Sequence, residues 1–183
     1  MYGDEKVLSN KFIKYTVVFL LIISLGFNYY LYKEKEGYMI QLGVENHLTV
    51  ARTLNEISDV NTDDWIEILE ENKGDVLLER YIGELRRLSR EFHGMSGMTP
   101  IGMLIDDTIR QYYALEDGMK SGKNIEVYKR AIEENIQFKK TILSQINSEF
   151  GEDEKLWYKE LSGFQTKTQK EIQEKFIEFQ NKQ

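Results

Sequence analysis

KFIKYTVVFLLIISLGFNYYLYKEKE, residues 11–36, is a stretch that no soluble core requires. From Tyr15 to Tyr32 it carries no charge. As a helix these residues span roughly 27 Å, close to the ~30 Å hydrocarbon core of a bilayer. Lys11 and Lys14 precede the run, and Tyr29, Tyr30 and Tyr32 cluster at its far end before Lys33 and Lys35. Aromatic rings and lysines take these places at membrane interfaces. A surface helix of a soluble protein would show a polar stripe, and this run has none. The stretch is expected to cross a membrane once.

A cleaved signal peptide is the competing reading. Lys6, Lys11 and Lys14 resemble an n-region, Val17 to Ile23 an h-region, and Ser24-Leu25-Gly26 a small-x-small cleavage site. Against cleavage, Phe27, Tyr29, Tyr30 and Leu31 carry the apolar run past the cut, to a length that suits a span. An uncleaved signal anchor is therefore expected, and with no cysteine in the chain it has no lipoprotein alternative. Three lysines lie in the first 14 residues and two in the first four after the run, a slight bias that leaves the short amino tail to favour a cytoplasmic N-terminus. This places residues 1–14 in the cytoplasm as a short tail, 15–32 in the membrane, and the remainder outside. Residues 33–60 form a helical stalk or the first helix of the bundle, and residues 61–183 the bundle domain.

Charge bounds the partners. The first 36 residues hold five lysines and four acidic side chains, leaving 19 basic and 27 acidic residues after them, a net charge near −8. That sign opposes general binding to nucleic acid or to anionic lipid, both of which rest on neutralising phosphates. Without a disulfide the domain must hold by packing alone. The abundance of Lys, Ile, Asn and Tyr suggests a bacterial source of low genomic GC content.

A single proline, Pro100, and apolar residues at helical spacing predict an all-α fold. Leu77 or Leu78, Tyr81, Leu85, Leu88 and Phe92 share one face of a helix from about Asp75 to His93. Ile101, Ile105, Ile109, Tyr112 and Met119 mark the next helix, and Ile125, Tyr128, Ile132, Ile136, Leu143 and Ile146 the one after. Trp157, Leu161, Phe164, Ile172, Phe176 and Phe179 read as one last helix with Gly163 as its weak point. Thr62-Asp63-Asp64 caps a short helix holding Trp65, Ile68 and Leu69; Lys73-Gly74-Asp75, Thr99-Pro100, Ser121-Gly122 and Gly151-Glu152 punctuate the rest. Residues 60–183 thus divide into one short and four longer helices. Between Tyr38 and Ser58, Ile40, Val44, Leu48, Ala51 and Leu54 fall near heptad spacing, as in a stalk.

Few residues suggest chemistry. His47 and His93 lie in no spaced ligand pattern, and there is no GxSxG, P-loop or cysteine nucleophile, so neither a catalytic site, a metal nor a cofactor is expected. Asp106-Asp107, Glu116-Asp117 and Glu133-Glu134 are paired carboxylates, but neighbours on a helix point about 100° apart and are not expected to face one substrate. Two features are candidates for partner binding. HGMSGMTPIGM, residues 93–103, crowds Met95, Met98 and Met103 at a junction of helices, where thioethers line an adaptable surface, ligate Cu(I), or fill gaps in a core. Arg80, Arg86, Arg87 and Arg90 form a basic cluster in which Arg80–Glu84 and Arg87–Glu91 pair at i,i+4, while Arg86 and Arg90 lack a local partner and suit an acidic one.

The expected function is that of a membrane-anchored, extracytoplasmic helical module, not an enzyme, that binds or scaffolds through contact with another envelope protein or with itself. Two alternatives are a ligand-sensing subunit of a membrane complex and a secreted helical protein. A membrane helix followed by an antiparallel bundle resembles the periplasmic four-helix sensing modules of bacterial receptors. That resemblance is architectural and implies a second membrane helix, whereas no later apolar run approaches 18 residues.

Overall fold

The computed structural model describes residues 4–58, 61–71 and 73–182. Residues 1–3 of the expected tail and 59–60 of the expected 33–60 segment lie outside the described residues, as do the side chains of Lys6 and Lys11. Helices α1 (Asp4–Ser58), α2 (Thr62–Glu70), α3 (Gly74–Gly94), α4 (Thr99–Ser121), α5 (Glu126–Phe150), α6 (Glu154–Ser162) and α7 (Lys167–Gln180) account for the described regular structure, and there is no strand among them. The all-α expectation holds. The chain forms two compact units, Met1–Ile40 and Gln41–Gln183.

In the first unit every side chain from Ile13 to Tyr32 is exposed, including Phe19, Leu25 and Phe27. One helix among the described residues is long and apolar enough to cross a membrane, and the apolar window within it buries nothing.

The second unit is a helical bundle centred on α4, which packs against α3 on one side and α5 on the other. Short turns join these three helices, so neighbours run antiparallel. The stripes read from the sequence supply the core: Leu78, Leu85, Leu88 and Phe92 from α3, Ile101, Ile105 and Tyr112 from α4, and Ile132, Leu143 and Ile146 from α5. Leu78, not Leu77, takes the inward place. Gly122 closes α4 in the left-handed conformation, and Pro100 stands in its first turn. The cap of α2 lies one residue earlier than expected: the Asn61 side chain accepts from the Asp63 backbone N–H, and Thr62 is buried.

Two expectations change. The last apolar stripe is not one helix but α6 and α7, because Thr166 starts a new helix with a reciprocal capping box to Gln169. Phe164, expected on the stripe, falls in the intervening turn and is 86% exposed, while Trp157, Leu161, Ile172 and Phe176 are buried. The second change concerns the face on which α1 packs: residues 41–57 join the bundle as its first helix, one of the two expected readings, but not through the heptad positions. Their buried face is Gly43, Asn46, Thr49, Val50, Thr53 and Ile57, so the heptad residues Val44 and Leu48 remain exposed. A Cβ at Gly43 would overlap the Glu154 carbonyl, so only glycine permits this approach of α1 to α6. Asn46 Nδ2 donates to Ser162 Oγ at 3.0 Å, Thr49 Oγ1 to Glu91 Oε2 at 2.9 Å, and His47 stacks on Trp157 with ring centroids 4.7 Å apart.

Candidate functional site

The polar chemistry of the bundle gathers on the two flanks of α4. On the α3 flank, Ser89 and His93 stand one turn apart and both reach Asp106: Ser89 Oγ donates to Oδ1 at 2.5 Å, and His93 Nε2 lies 3.0 Å from Oδ2. The order differs from that of a hydrolase triad. Here the carboxylate sits between serine and histidine, and among the described residues no hydrogen bond joins the Ser89 hydroxyl to the imidazole as it would in a triad. The arrangement pins α3 to α4.

On the α5 flank, Asn135 Nδ2 donates to Asp107 Oδ2 at 2.7 Å, and Arg110 Nη2 donates to Asp107 Oδ1 at 2.8 Å. One turn beyond Asn135, Lys139 is buried completely; its Nζ donates to Thr108 Oγ1 at 2.6 Å, and Thr108 in turn donates to the Leu104 carbonyl. Burial pushes the Lys139 amine down to about 7, although the nearby Asp107 carboxylate draws it upward. Near neutral pH this lysine is partly uncharged, a state that spares the interior much of the cost of an isolated ammonium. Asn135 Oδ1 is also buried and has no hydrogen-bond partner among the described residues.

Asp106 and Asp107 both line a cavity of about 340 Å³ between α4 and α7, together with Met103, Leu104, Arg110, Phe176 and Gln180. Their carboxylates turn to opposite flanks, Asp106 toward Ser89 on α3 and Asp107 toward Asn135 on α5, as adjacent positions on a helix do. Each carboxylate oxygen already accepts from a side-chain donor, Asp106 from Ser89 and His93 and Asp107 from Asn135 and Arg110, so the pair forms a held, polar wall. Among the described residues no three His, Cys, Asp or Glu side chains converge as a metal site.

No family model, curated protein or solved structure matches this chain. The site is read from its own chemistry alone.

The candidate residues named from sequence separate. Arg86, which has no partner on its own helix, finds one across the α3–α4 seam: Nη2 donates to Tyr113 Oη at 2.6 Å, and the guanidinium lies 5.7 Å from the centre of that ring. Arg90 is exposed and forms no ion pair among the described residues. Arg87 pairs with Glu91 at 2.6 Å as its spacing implies, but Glu84 accepts from Arg87 at 3.0 Å in place of the expected Arg80. Met98 is fully buried, Met95 packs partly buried against the core, and Met103 is 47% exposed on the cavity wall.

Lys139, Asn135 and Ser89 escaped the sequence reading. A signal existed for two of them: Asn135 and Lys139 fall on the same helical face as Ile132, Ile136 and Leu143, where a polar residue is out of pattern. Ser89 gives no such signal, because a serine tolerates either environment.

Proposed function

We propose that the chain is a single-pass, membrane-anchored helical module whose domain, Gln41–Gln183, lies on the extracytoplasmic side and works by binding another envelope protein. The observation that carries this reading is the contrast between the two units. The domain closes its own core, while the uncharged run from Tyr15 to Tyr32 buries none of its side chains and therefore needs an apolar environment from elsewhere. The amino tail stays in the cytoplasm. The segment is retained as an anchor, a reading supported by Phe27, Tyr29, Tyr30 and Leu31, which carry the apolar run past Ser24-Leu25-Gly26 to the length of a span.

Binding is favoured over catalysis because the polar groups that converge on α4 are engaged with one another. Arg90 remains available, with Arg86 beside it on α3 and Met103 exposed on α4. A partner that brings a carboxylate to Arg90 and an apolar side chain to Met103 suits this face.

Crosslinking in intact membranes, followed by purification through the full chain, tests the proposal. The wild type is expected to capture a defined membrane or envelope protein, and Arg90→Glu to lose it while the protein stays folded and membrane-bound. Release of the wild type by alkaline carbonate would overturn the anchor, and digestion of the domain only after permeabilising the cells would reverse the orientation.

A further inference from the structure

Trp65 of α2, Tyr81 of α3 and Tyr112 of α4 form one aromatic cluster. The ring centroids of Trp65 and Tyr81 lie 5.0 Å apart, those of Tyr81 and Tyr112 5.6 Å, and those of Trp65 and Tyr112 6.0 Å, the last two pairs meeting edge to face. Edge-to-face contact sets the positive rim of one ring against the negative face of another, so the rings are well placed. Their polar ends are not. Among the described residues four buried side-chain atoms have no hydrogen-bond partner, and two of them are the hydroxyls of Tyr81 and Tyr112. A third is Thr62 Oγ1, three positions before Trp65 and so on the same face of α2. Buried polar groups in folded proteins nearly all find a partner, so three hydroxyls in one corner call for one.

The two phenols face one another without bonding. Burial raises both well above the ordinary range of tyrosine, and after burial the largest influence on each is the other. Both are therefore neutral, and each has one proton to donate and lone pairs with which to accept. No hydrogen bond joins them. Two hydroxyls that stand near one another but out of bonding geometry are suited to a bridging water, which donates to one and accepts from the other. Because the three rings are already in contact, the cluster has no room among them for a larger guest, and neutral hydroxyls give an ion no countercharge.

We infer that a water molecule is bound beneath α2, bridging Tyr81 Oη and Tyr112 Oη. Two polar partners are the least that an internal water needs, and the Thr62 hydroxyl on the same face of α2 offers a third. Ordering one water costs less than leaving the phenols unsatisfied in the interior. The water ties α3 to α4 through the polar ends of residues whose rings already pack, a role that phenylalanine at 81 and 112 would not fill. Every group of the site belongs to the unit Gln41–Gln183, and its existence is independent of what the domain binds.

Oxygen-17 relaxation dispersion on the full-length chain in detergent micelles counts the waters that stay bound longer than the protein tumbles. Tyr81→Phe and Tyr112→Phe keep the rings, and each is expected to lose about one such water per chain. The double variant is expected to lose no more than either single one, because the first replacement already releases the bridge. Equal counts in the wild type and the double variant overturn the inference. A second measurement needs no variant. In the ring-labelled wild type, a hydroxyl proton that is buried and hydrogen-bonded exchanges slowly enough to be resolved by NMR, and those of Tyr81 and Tyr112 are expected to cross-relax with water. Cross-peaks between the two hydroxyls with none to water mean a direct bond and overturn the bridge. Thermal melting adds the sign: bridged hydroxyls are satisfied, so neither replacement is expected to raise Tm, whereas a rise in both shows the hydroxyls dry and unpaired in the wild type and also overturns it.

Discussion

The two flanks of α4 are sealed in opposite ways. Against α3 the interior is largely hydrocarbon, Leu85, Leu88 and Phe92 beside Ile101 and Ile105, with its charged contacts, His93–Asp106 and Arg86–Tyr113, at exposed positions. Against α5 the interior holds a fully buried amine and amide, Lys139 and Asn135, among Ile132, Ile136 and Leu143. An apolar seam is tolerant of angle and register, whereas a buried amine bonded to Thr108 is satisfied in one register only. The two flanks therefore make different demands, the α3 flank on apolar packing and the α5 flank on the register that brings Lys139 to Thr108.

The contrast is broken most severely by emptying aromatic sites. Phe92→Ala on the apolar flank is expected to cost about 3–5 kcal/mol, as is Phe176→Ala, which opens α7 from the cavity. Urea unfolding of residues 37–183 measures both, and an unchanged midpoint for Phe176→Ala would detach α7 from the core.

Lys139→Met sharpens the comparison from the polar side. In the wild type the folded lysine loses its proton near 7, while the unfolded one keeps it to about 10.5. Between these values the unfolded state binds more protons, so this residue makes stability rise with pH and fall again as the pH drops toward 7. The variant is expected to be more stable than wild type at pH 7 by about 1–3 kcal/mol and to lose that slope. Melting curves at pH 7 and pH 9 test it, and an equal slope in both proteins excludes a buried amine as its source. Above pH 10 the buried phenols of Tyr81 and Tyr112, which burial holds neutral, impose the opposite trend in both proteins.

Smaller effects test the packing of α1. Asn46→Ala removes the bond to Ser162 and is expected to cost about 1–2 kcal/mol in the same unfolding assay. Val44→Ala, on the exposed heptad face, is expected to change stability by less than about 0.5 kcal/mol. A reversal of these two costs would restore the heptad face as the buried one. Least of all, Phe164→Ala should leave the midpoint unmoved, since its ring contributes little to the core.

Local pattern determined the apolar run, the all-α class and the stripes of α3, α4 and α5, because each helix buries one face and a periodic apolar stripe records it. The capping chemistry at Pro100, Gly122 and Thr166 is likewise written in neighbouring residues, although Thr166 was passed over beside the apolar stripe that spans it. Tertiary structure alone decided which face of residues 41–58 turns inward. There Val50 and Ile57 share the buried face with glycine, asparagine and threonine, and burial of the polar residues becomes favourable only through partners elsewhere in the chain, such as Ser162, 116 positions from Asn46. It also decided that Asp106 and Asp107 share a cavity, that Lys139 lies in the interior, and that Phe164 is presented to the outside. In each case the deciding energy belongs to a pair of groups brought together by folding, and hydropathy, being a property of single residues, does not contain it.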